Sequence, residues 1–413
     1  MSRQFSTRYR VVNAVRRHKR ISRVEIAELT GLSRSAVTGL TQELLEQGLI
    51  RETAEEGPIN PRGRPRVQIA LNPDAGYVVG VKLSLHQLSC AITDFCGEVL
   101  HSLVLPFNGG QPPEYAADIV ETAVRRCLAD SAIHAEQVLG LCVGIPGYIS
   151  HEEGICYWSP VFDQRDVAFR DLLRKRFDWD CFIENDANLV ALSLHWFGQA
   201  KDIDTFAVVT VEHGIGMGLI TDGRLYRGAH GIGPEFGHSK IVTDGRPCRC
   251  GQNGCIEAYA SDYAILREID KYFSLESYNA NPQSFHPVIE RMTLQAHDGD
   301  EDLRRVFDEA GRWLGRAMGN LISILNPPTI FLSGAGMRAG PMLTEPAREE
   351  ARANQLADNH FDTEIVISPT NDDVWAQGAA ALVLEHLYRG SALISYMDRT
   401  QQPRQTNILT AIP

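Results

Sequence analysis

"GIGPEFGHSKIVTDGRPCRCGQNGCIEAYAS" spans residues 231–261. Three cysteines, Cys248, Cys250 and Cys255, crowd into its second half, and no other cysteine is near them. Thiols this dense point to a metal, and tetrahedral zinc takes four ligands. Cys248 and Cys250 are two residues apart and cannot both point inward from a regular helix. Gly251 and Gly254 supply the loop that lets them converge. The residues alone leave the fourth ligand open.

Around this stretch lies a chain of 413 residues, 44% hydrophobic and 22% charged. That fits a soluble globular protein of two or three domains, at roughly 100–200 residues each. No window has the ~18 apolar residues of a membrane helix. The basic N-terminus lacks the apolar core of a secretory signal. A cytoplasmic protein with no membrane partner is expected. Cys90, Cys96, Cys127, Cys142, Cys156 and Cys181 are expected as small reduced core residues.

The net charge of −12 is unevenly placed. Residues 1–70 hold 13 Lys+Arg against 7 Asp+Glu, and the remainder holds 27 against 45. A basic head is drawn to nucleic acid while an acidic body is repelled by it. Within the head, "TRYRVVNAVRRHK" sets Val11, Val12 and Val15 on one helical face. Ser22 stands three residues before Glu25, a capping-box spacing. Gly31 ends that helix and makes the turn. Ser33 caps the next helix, where Ala36, Val37, Leu40, Leu44 and Leu45 form an apolar stripe. This is helix-turn-helix spacing, with a wing expected after "EQGLIRET". It would present Ser33, Arg34, Ser35 and Thr38 to base edges in the major groove. A three-helix bundle for protein contact is the plainer alternative. In the Pro/Gly-rich linker that follows, Arg62, Arg64 and Arg66 of "RGRPR" suit a narrow minor groove, whose negative potential attracts arginine. A polar spacer is the alternative there.

From Tyr77 the pattern changes to strand, turn and strand. "VLGLCVGIPGYIS" reads as a buried strand, and "CFIENDANLVALSLHWFG" as a strand feeding a helix. "DTFAVVTVEHGIGMGLITDG" repeats the opening hairpin. "DDVWAQGAAALVLEHLY" reads as a closing helix. Two hairpin starts, each followed by helices, predict a duplicated α/β architecture with a ligand cleft between lobes.

The run 231–261, with "ENDAN" and "GIPG", resembles the ROK family of bacterial repressors, open reading frames and sugar kinases. The resemblance covers almost all of residues 75–390, and a winged helix in front marks the regulator branch. It implies an N-terminal winged helix-turn-helix over 1–70, followed by a two-lobed actin-like, hexokinase-like body. The first lobe would take 75–195 and 370–395, and the second 196–369 with the zinc loop.

His238 ends "GPEFGH", the family's histidine position, and becomes the fourth ligand. His238, Cys248, Cys250 and Cys255 would close a structural zinc site, one per chain, with no open position for water. By the same resemblance, Glu235, His238 and Glu257 contact sugar hydroxyls, beside Gly147, Asn185 and Asp186. Asp186 matches the kinase base. Trp158, Ser159 and Asp163 of "YWSPVFDQRD" are further candidates for the pocket wall.

The kinase motifs are degenerate. In "GVKLSLHQL", Lys82 takes the place of an Asp, Ser84 and Leu85 replace glycines, and His86 replaces Thr. Lysine cannot orient hydrated Mg²⁺ as a carboxylate does. "EHGIGMG" keeps Gly214, Gly216 and Gly218, with His213 in place of Thr. The expectation is a non-enzyme: a sugar-responsive, DNA-binding regulator in which Asp186 survives as a degenerate base. Operator DNA and a sugar would be its partners, in a homodimer or homotetramer associated with the nucleoid. An active sugar kinase with a regulatory head, or a regulator controlled by a transporter protein, are the alternatives.

Overall fold

The computed structural model describes residues 7–53, 67–273, 275, 285–355, 362–368 and 373–389. The head begins with α1 (Thr7–His18), which turns Val11, Val12 and Val15 inward. A short strand, β1 (Ile21–Ser22), leads into α2 (Arg23–Thr30). The capping box forms there: the Ser22 N–H donates to Glu25 Oε2 at 2.9 Å, and Ser22 Oγ accepts from the Glu25 N–H at 3.4 Å. Gly31, at φ 65°, closes α2 in the left-handed region. Ser33 caps α3 (Arg34–Glu46) by accepting from the Ala36 N–H. Of the apolar stripe on α3, Val37 and Leu44 are buried, while Ala36, Leu40 and Leu45 are half-buried. β2 (Ile50–Thr53) pairs antiparallel with β3 (Gln68–Leu71), which also pairs with β1. This is the wing. Its connection, with Arg62, Arg64 and Arg66, lies outside the described residues.

The body opens with β4 (Tyr77–Leu83), β5 (Gln87–Thr93) and β6 (Val99–Pro106). After α4 (Pro113–Ser131) comes β7 (Val138–Ile145), then a hairpin of β8 (Tyr148–Ser150) and β9 (Ile155–Trp158). α5 (Phe169–Arg174) precedes β10 (Asp180–Asn185), which runs directly into α6 (Asp186–Trp196). The second half repeats the plan with β11 (Phe206–Val211), β12 (Ile215–Thr221) and β13 (Arg224–Leu225). Helices α7 (Glu257–Ala260), α8 (Asp262–Phe273), α9 (Phe285–His297) and α10 (Glu301–Leu325) follow. Then come β14 (Thr329–Ser333), α11 (Pro341–Ala353), β15 (Glu364–Ile367) and α12 (Val374–Arg389).

The sheets run β10-β7-β4-β5-β6 and β13-β12-β11-β14-β15. Numbered within each sheet, both take the order third, second, first, fourth, fifth. An antiparallel hairpin sits on one side and parallel strands on the other. The duplication anticipated from the two glycine-turn hairpins is thus a repeated topology.

Helix α6 is buried along its whole length from Ala187 to Trp196. It packs against α12, which also lies over β4. The approach is close enough that a Cβ on Gly378 would sit 1.9 Å from the Leu189 carbonyl oxygen. Head and first sheet share one apolar cluster, from Val11, Val15 and Ile69 through Phe95 and Trp196 to Leu387 and Tyr388. Cys90, Cys127, Cys142, Cys156 and Cys181 are buried as expected, but Cys96 is only half-buried, at the turn after β5. No helix among the described residues is long and apolar enough to cross a membrane.

Gly378→Ala should destabilise the chain by about 1–3 kcal/mol in chemical denaturation, the usual cost of overpacking. Ala379→Gly, with no such clash, is the comparison.

Candidate functional site

β10 and α6 meet at Asn185 and Asp186, at the end of the first sheet. Asn185 is the N-cap of α6: its Oδ1 accepts from the N–H groups of Ala187 and Asn188. Its Nδ2 donates to the Gly147 carbonyl at 3.1 Å, which ties α6 to the "GIPG" turn. These residues line a cavity of about 130 Å³ together with Glu235, His238 and Glu257. The structure therefore brings all six proposed sugar-contact residues to one pocket. Trp158 lines it too. Ser159 does not: it is buried, with Oγ accepting from the Val161 N–H. Asp163 is exposed on the loop beyond.

The pocket is rich in acid. Burial, with Asp186 and Glu257 close by, pushes the Glu235 carboxyl up to about 8. A carboxyl that keeps its proton at neutral pH can donate one hydrogen bond as well as accept. Burial also pushes Asp186 up, opposed by Lys82 and reinforced by Glu212. Glu257 Oε2 accepts from the Ile215 N–H at 3.2 Å. That carboxylate fits because residue 214 is glycine: a Cβ there would stand 2.6 Å from Oε2. Gly218 similarly gives room to the Ala187 carbonyl of α6. The glycines of "GIGMG" are thus required for packing, whatever their relation to phosphate.

Three polar features around the cleft were not anticipated as contacts. Lys82, at the end of β4, donates to Glu212 Oε1 and Oε2 at 3.1 and 2.8 Å, at the end of β11. His86 Nε2 lies 3.5 Å from His213 Nδ1, with the rings edge to face. Both contacts join the first half of the body to the second. In the third, Glu184 is fully buried, and Arg227 reaches it from beyond β13 at 2.7 Å. Burial works against this carboxylate, but Arg227, His151 and hydrogen bonds from Asn188 and the Asn185 N–H hold its pKa down. The only sequence cue to these partners is proximity: Glu212 and Glu184 each precede a residue singled out for other reasons.

The cysteine loop sits behind the pocket. His238, Cys248, Cys250 and Cys255 offer four ligand atoms within 4.8 Å of one another. Cys250 Sγ and Cys255 Sγ are 3.8 Å apart, and Cys248 Sγ is 3.7 Å from His238 Nδ1. At a Zn–S bond of about 2.3 Å, tetrahedral geometry separates two sulfurs by about 3.8 Å. The donor set and its spacing fit such an ion. Glu257 and Tyr263 both approach Cys248, at 3.5 and 3.7 Å, so cluster and pocket share a wall.

In the head, Ser33, Arg34, Ser35 and Thr38 are all exposed on the first turns of α3. All three of their hydroxyls already have local bonds: Ser33 as the cap, Ser35 with Ser33 Oγ at 3.1 Å, and Thr38 donating to the Arg34 carbonyl at 2.8 Å.

The ROK family model matches residues 78–386, and that of the MarR family matches residues 2–58. The chain is 27% identical over 387 residues to the xylose repressor of Caldicellulosiruptor bescii, covering 91% of this chain and 95% of that one. It is 28% identical over 378 residues to the DNA-binding transcriptional dual regulator NagC of Escherichia coli, covering 90% and 91%. Among solved structures, a ROK family transcriptional regulator, a homologue of the E. coli MLC protein, superposes with a TM-score of 0.79. It is 27% identical, over 95% of this chain and 98% of that one.

Lys82→Met should destabilise the chain by about 1–3 kcal/mol, between the values for exposed and buried pairs, because it leaves Glu212 and Asp186 facing each other. The double variant Lys82→Met/Glu212→Gln should recover most of that loss in the same denaturation assay.

Proposed function

The chain belongs to the ROK family, and we propose that it is a sugar-responsive, DNA-binding transcriptional regulator. It would repress genes of carbohydrate uptake or breakdown until a sugar binds between the lobes. One observation carries the reading: an acceptor pocket of hydroxyl-binding side chains is intact, while the Lys82–Glu212 ion pair spans the donor side. The names of the relatives agree with it. Residues 1–70 would be the DNA-binding module, and residues 75–195 with 370–395, and 196–369, the two lobes.

In the pocket, Asn185, Asp186, Glu235 and Glu257 would exchange hydrogen bonds with vicinal hydroxyls, and His238 would donate through its second nitrogen. Gly147 would bring backbone close to the sugar. Trp158 gives an apolar wall. Phosphoryl transfer needs a hydrated cation and room for phosphate oxygens. Lys82, already held by Glu212, repels the cation, and Leu85 narrows the turn.

His238, Cys248, Cys250 and Cys255 would hold one structural Zn²⁺. With four protein ligands it would fix the loop and have no open position for chemistry. Those ligands would hold Glu257 and His238 in place against the sugar.

Two copies of the chain, or two pairs, would set two α3 helices on a near-palindromic operator, with Ser33, Arg34, Ser35 and Thr38 at base edges. Arg62, Arg64 and Arg66 would add contact in a flanking A·T-rich minor groove. Such a protein works in the cytoplasm, at the nucleoid.

A gel-shift titration with D-xylose, N-acetyl-D-glucosamine and other sugars should find one that weakens operator binding, with Glu235→Ala abolishing the response. No response to any sugar, with Glu235→Ala indistinguishable from wild type, sinks the reading. Incubation with that sugar and Mg-ATP should yield no ADP above background; turnover abolished by Asp186→Asn would establish a kinase instead. Elemental analysis should give about one zinc per chain, lost in Cys250→Ser along with much of the sugar response.

A further inference from the structure

We propose that Arg16 is the positioning residue through which pocket occupancy reaches the DNA-binding head, with α6 as the rigid member between them. The proposal rests on the functional reading above and deepens it.

Helix α6 starts in the pocket. Asn185 caps it and Asp186 is its first residue, and both line the cavity. Its eleven residues extend ~16 Å at about 1.5 Å per residue. It ends under the head. There the Trp196 carbonyl accepts a hydrogen bond from the Arg16 guanidinium. The same guanidinium lies 4.2 Å above the Trp196 ring. Arg16 is held in turn by Asn13 Oδ1, one turn earlier on α1, at 2.8 and 3.1 Å. It is only 8% exposed.

The last carbonyls of a helix have no partner within the helix, and the dipole makes that end attractive to cations. Arg16 supplies both the donor and the charge. The head thus caps the very helix whose opposite end carries the pocket. Arg17 adds a second tie, donating to the Lys201 carbonyl at 2.8 Å just beyond α6.

A helix buried on every side moves as a unit, since close-packed interiors shift between discrete arrangements and do not bend gradually. Displacement of Asp186 by a sugar is therefore delivered at Trp196. α1 shares the head's core with α2 and α3, so a shift at Arg16 moves α3 with it. A stacked, hydrogen-bonded guanidinium makes a contact that is either seated or lost.

The test uses the full chain, and D-xylose and N-acetyl-D-glucosamine as probes. Operator affinity is measured by fluorescence anisotropy with and without sugar, and sugar affinity by calorimetry. Allosteric couplings typically span about 5- to 150-fold. Arg16→Met keeps the side chain's length over the indole and loses the charge and donors. It should bind the probe within about 3-fold of wild type and the operator alone likewise, while the sugar-induced drop in operator affinity shrinks to about 2-fold or less. Arg16→Lys, which can still donate to the Trp196 carbonyl, should restore part of the coupling. A merely structural role would move stability but not this ratio. Should Arg16→Met not fold, Trp196→Phe weakens the same contact from the body's side and is read in the same way. Full release of the operator by sugar in the variant overturns this inference and leaves the regulator reading intact. A wild-type chain whose operator affinity answers to no sugar of the gel-shift panel overturns both.

Discussion

A carboxylate sealed from water must be paired, and Glu184 is where that requirement shapes the molecule. It is wholly buried at the end of β10 and is satisfied by Arg227, Asn188 and the Asn185 N–H. Each partner has a second duty. The Asn185 backbone carries the cap of α6. Asn188 is one turn into that helix. Arg227 begins the loop that arrives at Glu235 and His238, and its carbonyl accepts from the Gly233 N–H. One buried charge therefore sets the floor of the pocket from the first sheet and its rim from the second. Removing a single partner of such a pair typically costs about 3–5 kcal/mol, because the remaining charge is stranded. The pocket's geometry is consequently tied to the stability of the whole body.

The two sides of the cleft have diverged in chemistry. On the acceptor side, the three carboxyl groups of Asp186, Glu235 and Glu257, an amide and an imidazole converge, with Arg249 the cation among them. That suits neutral polyhydroxy ligands. On the donor side, Lys82–Glu212 and His86–His213 connect the lobes directly. In a phosphoryl-transfer enzyme, a metal–phosphate bridge does this joining only when nucleotide is present. Here protein side chains join the two halves directly.

Much of this was legible in the sequence where the cause is local. The capping box at Ser22 and Glu25, the stop at Gly31 and the cap at Ser33 depend on residues within one turn. The strand-turn-strand repeats were visible because sheet burial imposes unbroken apolar runs. The clustering of Gly147, Asn185, Asp186, Glu235, His238 and Glu257 followed from a resemblance, since no spacing rule links residues so far apart. Illegible were the contacts made only by folding: Lys82 with Glu212, Glu184 with Arg227, Arg16 with Trp196. Each joins segments more than forty residues apart in the chain. Helices α8 to α11 also went unread, although α10 carries its own cue in the Asp300 cap and the helical spacing of Leu303, Val306, Phe307, Ala310 and Leu314. The choice of Ser159 and Asp163 as wall residues failed for a geometric reason: the loop turns at Pro160, which faces the pocket while its neighbours face elsewhere.

The apolar cluster that passes without a break from Val11 and Val15 to Leu387 and Tyr388 has a consequence for ancestry. A module joined by a tether can be exchanged between genes at little cost. This one is welded along a greasy seam, and α12, the last of the described helices, helps to close the seam around α1. Recombination that replaced the opening segment alone would pair mismatched surfaces.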